Sequence, residues 1–160
     1  MRTHTSIIVS EHEGGVMSTT MQILDTVKRA DYHYVTVDDK PGEGARVLEA
    51  LKAAGVNLIG FHAFPAGVGK AQLDFVAQDA SKLVSGAARA GVKLSQKKPV
   101  FLIEGQDRPG AIAEILAKLA AAKVNVTALD AVTSGNSRFG ALLWVKPTDV
   151  EKAATALAAR

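Results

Sequence analysis

The sequence predicts an α+β fold built from two ferredoxin-like βαββαβ repeats, each an antiparallel sheet with its helices on one face. Three observations predict it. Sliding the 160-residue chain against itself by 68 positions brings two segments into register without a gap. Within each segment the apolar pattern switches from strand-like alternation to helical spacing and back. Glycine-rich turns separate the strand pairs that follow each first helix.

The register rests on specific residues. Asp39, Pro41 and Gly42 fall on Asp107, Pro109 and Gly110, and Lys40 falls on Arg108. Leu48 and Leu51 fall on Leu116 and Leu119, Val56-Asn57 on Val124-Asn125, Ala63 on Ala131, and Gly67 on Gly135. A repeat of this kind decides the fold and takes precedence over single motifs.

Taken in order, Tyr32–Val37 and Val100–Ile103 are rich in β-branched and aromatic residues and read as the first strands. An Asp-x-Pro-Gly turn follows each, with Pro setting φ and Gly permitting the tight bend. The first helices present Val47, Leu48 and Leu51, and then Ile112, Ile115, Leu116 and Leu119, on one face. Gly55 ends the first of them as a left-handed cap, and Lys123 holds the equivalent place in the second. Val56–Phe64 and Lys70–Ala77, like Val124–Thr133 and Arg138–Lys146, form hairpins. A helix near Ser81–Ala90 leads to a short strand, Val92–Ser95. The last helix starts near Thr148 or Asp149, good N-cap types, and the second repeat then has no residues left for its final strand.

Residues 32–96 and 97–160 are therefore expected to form the two repeats, with 1–31 as an amino-terminal tail. Glu11–Gly15 reads as flexible loop, Ile23, Leu24 and Val27 fit either a short helix or an added strand, and Met17 and Met21 are alternative starts. Ala71, Leu73, Phe75 and Ala77, and Phe139, Ala141, Leu143 and Val145, should face the helices. Val76, Leu142 and Trp144 then point to the opposite face, which should be polar if it were wet. The expectation is that the other repeat or another chain covers it.

Composition narrows the function. At 48% hydrophobic and 22% charged residues the chain can bury a core, while its apolar runs are too short to span a bilayer or serve as a signal peptide. A net charge of +3 without a basic block longer than Lys97-Lys98 argues against nucleic acid. Zero cysteines exclude disulfides and thiolate zinc sites and are compatible with a reducing cytoplasm, the expected location. Gly67-Val68-Gly69-Lys70 lacks the leading glycine and the trailing Ser or Thr of a phosphate loop, so it reads as a hairpin turn. The histidines His4, His12, His33 and His62 are scattered. The offset sets His62 against Asp130, either as a His–Asp pair across a pseudo-two-fold axis or as a polar pair on an exposed strand. No nucleophile–base pair, carboxylate pair or cofactor motif is readable, so no reaction is expected.

The two turn-helix-strand sets resemble the ACT domain, a small ferredoxin-like module of regulatory proteins. The resemblance runs from Tyr32 to the end of the chain, as a tandem pair of such domains. It implies a non-catalytic protein binding a small amino acid or related metabolite, with a homodimer or a target metabolic enzyme as partner. It also implies that the turn and the start of the second strand line an effector site between paired domains: Asp39, Pro41, Gly42 and Asn57 in one copy, Asp107, Arg108, Pro109, Gly110 and Asn125 in the other. The chemistry suits a zwitterion, since a helix N-terminus favours a carboxylate, Asp accepts from an ammonium, and Asn donates and accepts. Glu43-Gly44 departs from the apolar Ala111-Ile112 of the second copy, which makes the second turn the closer match. A plain turn into a capped helix, or a protein-interaction module without a small ligand, is the alternative reading.

Overall fold

The computed structural model describes residues 25–133 and 135–160. In chain order it contains β1 (Thr26–Asp38), α1 (Glu43–Ala53), β2 (Leu58–Pro65), β3 (Lys70–Ala77), α2 (Ala80–Arg89), β4 (Lys98–Gln106), α3 (Ala111–Ala121), β5 (Val126–Thr133), β6 (Arg138–Val145) and α4 (Val150–Leu157). The strands form one antiparallel sheet in the order β2-β3-β1-β4-β6-β5. The α+β class and the two helix-covered halves are as the sequence predicts.

Local chemistry places the helices. Val47 and Leu51 of α1, and Ala111, Ile115 and Leu119 of α3, are the buried stripes. Both helices end in a left-handed residue: Gly55 has φ +72°, and Lys123 takes the same conformation at +54° despite its side chain. Asp79 caps α2, accepting from the Ser81 and Lys82 amides, and the Ser81 hydroxyl bond foremost holds its carboxyl below the usual range. Each half has its own core between sheet and helices. Phe75 and Leu83 are central to the first, and Ile103, Leu143 and Ala153 to the second.

The helix-free faces meet each other. In a flat sheet the edge strands β2 and β5 would lie five strand spacings apart, about 24 Å. Yet His62 Nδ1 of β2 lies 2.6 Å from Asp130 Oδ2 of β5. The sheet therefore folds over on itself and buries Tyr32, Val76, Val100, Leu142 and Trp144 between its halves. Val76 and Trp144 are equivalent at the repeat offset, as are Tyr32 and Val100, and His62 and Asp130. The expected cover for this face is thus the other repeat, and the His–Asp pair sits near the pseudo-two-fold axis.

Three expectations need correction. The first strand starts at Thr26 and not at Tyr32, so residues 26–31 belong to the sheet and not to a tail; the readings at Glu11–Gly15, Met17, Met21, Ile23 and Leu24 lie outside the described residues. The reason is long-range pairing: Thr26–Tyr32 pairs antiparallel with Glu104–Lys98. That segment supplies the second repeat's missing outer strand. Val92–Ser95 is not a strand; only the Ser95 amide donates to the Tyr34 carbonyl, at 2.8 Å, while Ser95 Oγ accepts from the Tyr34 amide. The last helix does start where expected, with Asp149 at the N-cap position of α4 after a 3-10 turn, Pro147–Asp149, although the Asp149 side chain makes no capping bond.

Candidate functional site

The two Asp-x-Pro-Gly turns are built alike. Each carries the chain from a first strand into a helix, with Gly42 at φ +94° and Gly110 at +85° as N-caps. A side chain at either glycine would be strained by that backbone, although the space around it is open. Neither helix has a side-chain cap, so Asp39 and Asp107 are not capping residues. Their backbone amides donate to Gly69 and Ser137 carbonyls at 3.0 and 2.9 Å, which ties each turn to the hairpin beside it.

Their surroundings differ. Asp107, Arg108 and Gly110 line a cleft of about 400 Å³ with the first turn of α3 and the end of β5. Ile112, Val132 and Phe139 make its wall apolar, and Ile112 and Ala113 bring amides that an α-helix leaves without intrahelical partners. Pro109 is an exposed part of the turn. Asp39, Pro41 and Gly42 are also exposed; the cleft beside β1 and α1 is bordered by Asp38, Glu43 and Arg46 instead. Each of these two clefts is lined by one repeat alone.

Arg108 is already engaged. Its guanidinium donates to both carboxylate oxygens of Asp25, at 3.0 and 3.1 Å, and also to Glu114 and the Gln106 carbonyl. These acids raise its pKa above the usual arginine value, the Asp25 hydrogen bond foremost. Nothing in the sequence marks Asp25, because it precedes the expected first strand and the repeat offset sets it against a lysine, Lys93. Lys40, the equivalent of Arg108, shares Asp38 with Lys70, and the pair holds the Asp38 carboxyl below its usual range, Lys70 foremost.

The asparagines are not brought to the turns. Asn57 and Asn125 follow the C-terminal ends of α1 and α3, while Gly42 and Gly110 precede the other ends, about 16 Å of helix away. Asn57 Nδ2 donates to Gln78 Oε1 at 2.8 Å, a structural bridge between two chain reversals. Asn125 borders a separate cleft with Lys123 and Asp149. Within each repeat, then, the asparagine and the turn stand at opposite ends of the helix. No described helix is long and apolar enough to cross a membrane.

Residues 100–160 match the family described as the ACT domain. No curated protein matches the chain. Among solved structures, a protein from Bacteroides thetaiotaomicron is 18% identical, with a TM-score of 0.71 over 82% of this chain and 88% of that one. The ligand-free regulatory subunit of aspartate kinase from Thermus thermophilus is 17% identical, with a TM-score of 0.54 over 84% and 94%. The corresponding subunit from Thermus flavus is 15% identical, at 0.53 over 85% and 94%. At these identities the likeness establishes a shared fold.

Proposed function

We propose, from the premise that this chain carries an ACT domain over residues 100–160, that it is a regulatory protein whose second repeat binds a small amino acid at the Asp107–Gly110 turn. The first repeat, which lies outside the matched residues, is in this reading a second module of the same kind, the division falling near residue 97. The observation that carries the reading is the cleft itself. The Asp107 carboxylate has no hydrogen bond or ion pair among the described residues and is available to an ammonium. Free amides at the start of α3 suit a carboxylate, and Ile112, Val132 and Phe139 suit an apolar side chain. Occupancy would be passed to a target metabolic enzyme or to a second copy of the chain.

Calorimetry of the full chain against the twenty amino acids tests this. Heat is expected for a small subset, lost in Gly110→Val and in Val132→Trp, the latter placed on an exposed cleft residue to spare the fold. Binding that survives both changes, or no heat with any amino acid, overturns the proposal.

One observation favours a second reading, a protein-interaction module. Edge strand β2 carries no Asp, Glu, Lys or Arg and exposes Ile59 and Phe61, at 45% and 42%. Edges are usually protected by charge. A co-purifying protein without a thermal shift from any metabolite would favour that reading.

A further inference from the structure

One place in the fold is filled in the second repeat and open in the first. In the second, Asp25 lies just ahead of β1 with its side chain 10% exposed, and it packs on Gly105 of β4, where any side chain would collide with it. Arg108 grips its carboxylate through two hydrogen bonds, at 3.0 and 3.1 Å, and Glu114 accepts from the same guanidinium. A carboxylate from the chain itself thus fills this position.

The β1–β4 ladder is its own image about the Asp31–Pro99 pair, two residues that are themselves equivalent at the repeat offset. Under that symmetry Gly105 corresponds to Val37, Arg108 to Lys40 and Glu114 to Arg46, while Asp25 corresponds to Lys93. Both acids of the second repeat are therefore replaced by cations in the first. The acid is missing, and an open cleft of about 580 Å³ lies between the end of β1, the first turn of α1 and residues 91–95. Arg46, Lys70 and Lys93 border it against Asp38 and Glu43. Lys70 pairs with Asp38 at 2.7 Å and Arg46 with Glu43 at 2.9 Å, whereas Lys93 has no ion-pair partner among the described residues.

We infer that the cleft of the first repeat binds a small carboxylate anion from solution, held by Lys93 and Arg46 beside Val35–Asp38. The site uses other residues, in the other repeat, than the amino-acid cleft, and it stands whether or not that reading holds. An exposed pair of cations gives a millimolar site and not a tight one.

The test is a titration of the ¹⁵N-labelled full chain with sodium succinate at constant ionic strength, read by amide chemical shifts. Saturable shifts are expected at Val35–Asp38 and Gly91–Ser95. Lys93→Glu and Arg46→Glu, both at exposed positions, should each weaken the binding by about tenfold while the remaining amides keep their shifts. Shifts that fail to saturate, that scatter over surface lysines, or that persist unchanged in Lys93→Glu overturn the inference. Neither substitution touches Gly110 or Val132, so failure here is separable from failure of the amino-acid reading.

Discussion

The two repeats share every helix and strand up to the second helix, then part company at the strand that should finish each sheet. In the second repeat that strand is complete: Thr26–Tyr32 pairs along β4, Arg160 bonds through its backbone to Val27 and Arg29, and the Arg29 guanidinium grips Glu151 of α4 at 2.7 Å. In the first repeat Val92–Ser95 makes one backbone hydrogen bond to the strand beside it, from the Ser95 amide to the Tyr34 carbonyl. The difference teaches where rigidity and openness are placed. A fully paired strand brings Asp25 onto Arg108 and closes the space, while a loosely held segment leaves a cleft bordered by cations.

Because β1 belongs to both halves, the comparison is broken most severely if the repeats unfold separately. Phe75 and Leu143 are equivalent at the offset and fully buried, one in each core. Phe75→Ala should cost about 3–5 kcal/mol and Leu143→Ala about 2–5 kcal/mol. A shared strand requires both to lower one common thermal transition seen by circular dichroism. Two resolved transitions, with each variant moving only its own, would show that β1 does not couple them.

A smaller effect sharpens the asymmetry between the faces that meet. Asp74 is 4% exposed and stands where the second repeat has Leu142. Burial, foremost, raises its carboxyl above the usual range, and the hydrogen bond from Gln72 Nε2 at 2.7 Å offsets this in part. The folded chain therefore holds this proton more tightly than the unfolded chain, whose Asp titrates near about 3.9. The stability contributed by the group is full below that value and is lost as pH rises through the raised one. Asp74→Asn, which still accepts from Gln72, should melt higher than the parent at pH 7 and converge with it at low pH. A gap that widens on acidification would contradict this.

The smallest effect concerns the helix ends. Lys123 holds a left-handed conformation that Gly55 adopts freely in the first repeat. Lys123→Gly should stabilise the chain by about 1 kcal/mol, and Gly55→Ala should destabilise it by a similar amount, in denaturant titrations. Equal and null effects at both positions would mean that neither turn stores strain.

Much of this fold was legible because it is written locally. Ala71, Leu73, Phe75 and Ala77 alternate along their strand, Leu48/Leu51 and Leu116/Leu119 repeat at helical spacing, and the offset itself set His62 against Asp130. The start of β1 was not legible, since of Thr26–Asp31 only Val27 is buried and the pairing partner lies some seventy residues away. The same holds for Asp25, whose role depends on Gly105 being bare and on Arg108 arriving from the other repeat's turn. The turns were read as positions, correctly placed at helix starts. The resemblance joins Asn57 and Asn125 to those turns, and within each repeat the length of the helix stands between them.

Arg160 ends beside Val27 and Arg29, within backbone hydrogen-bonding distance of both. A fragment cut at residue 97 would leave β4 with a naked flank, whereas the same fragment with Asp25–Tyr32 grafted after Arg160 would carry its own lid strand. The modules in this chain are thus separable by permutation and not by scissors.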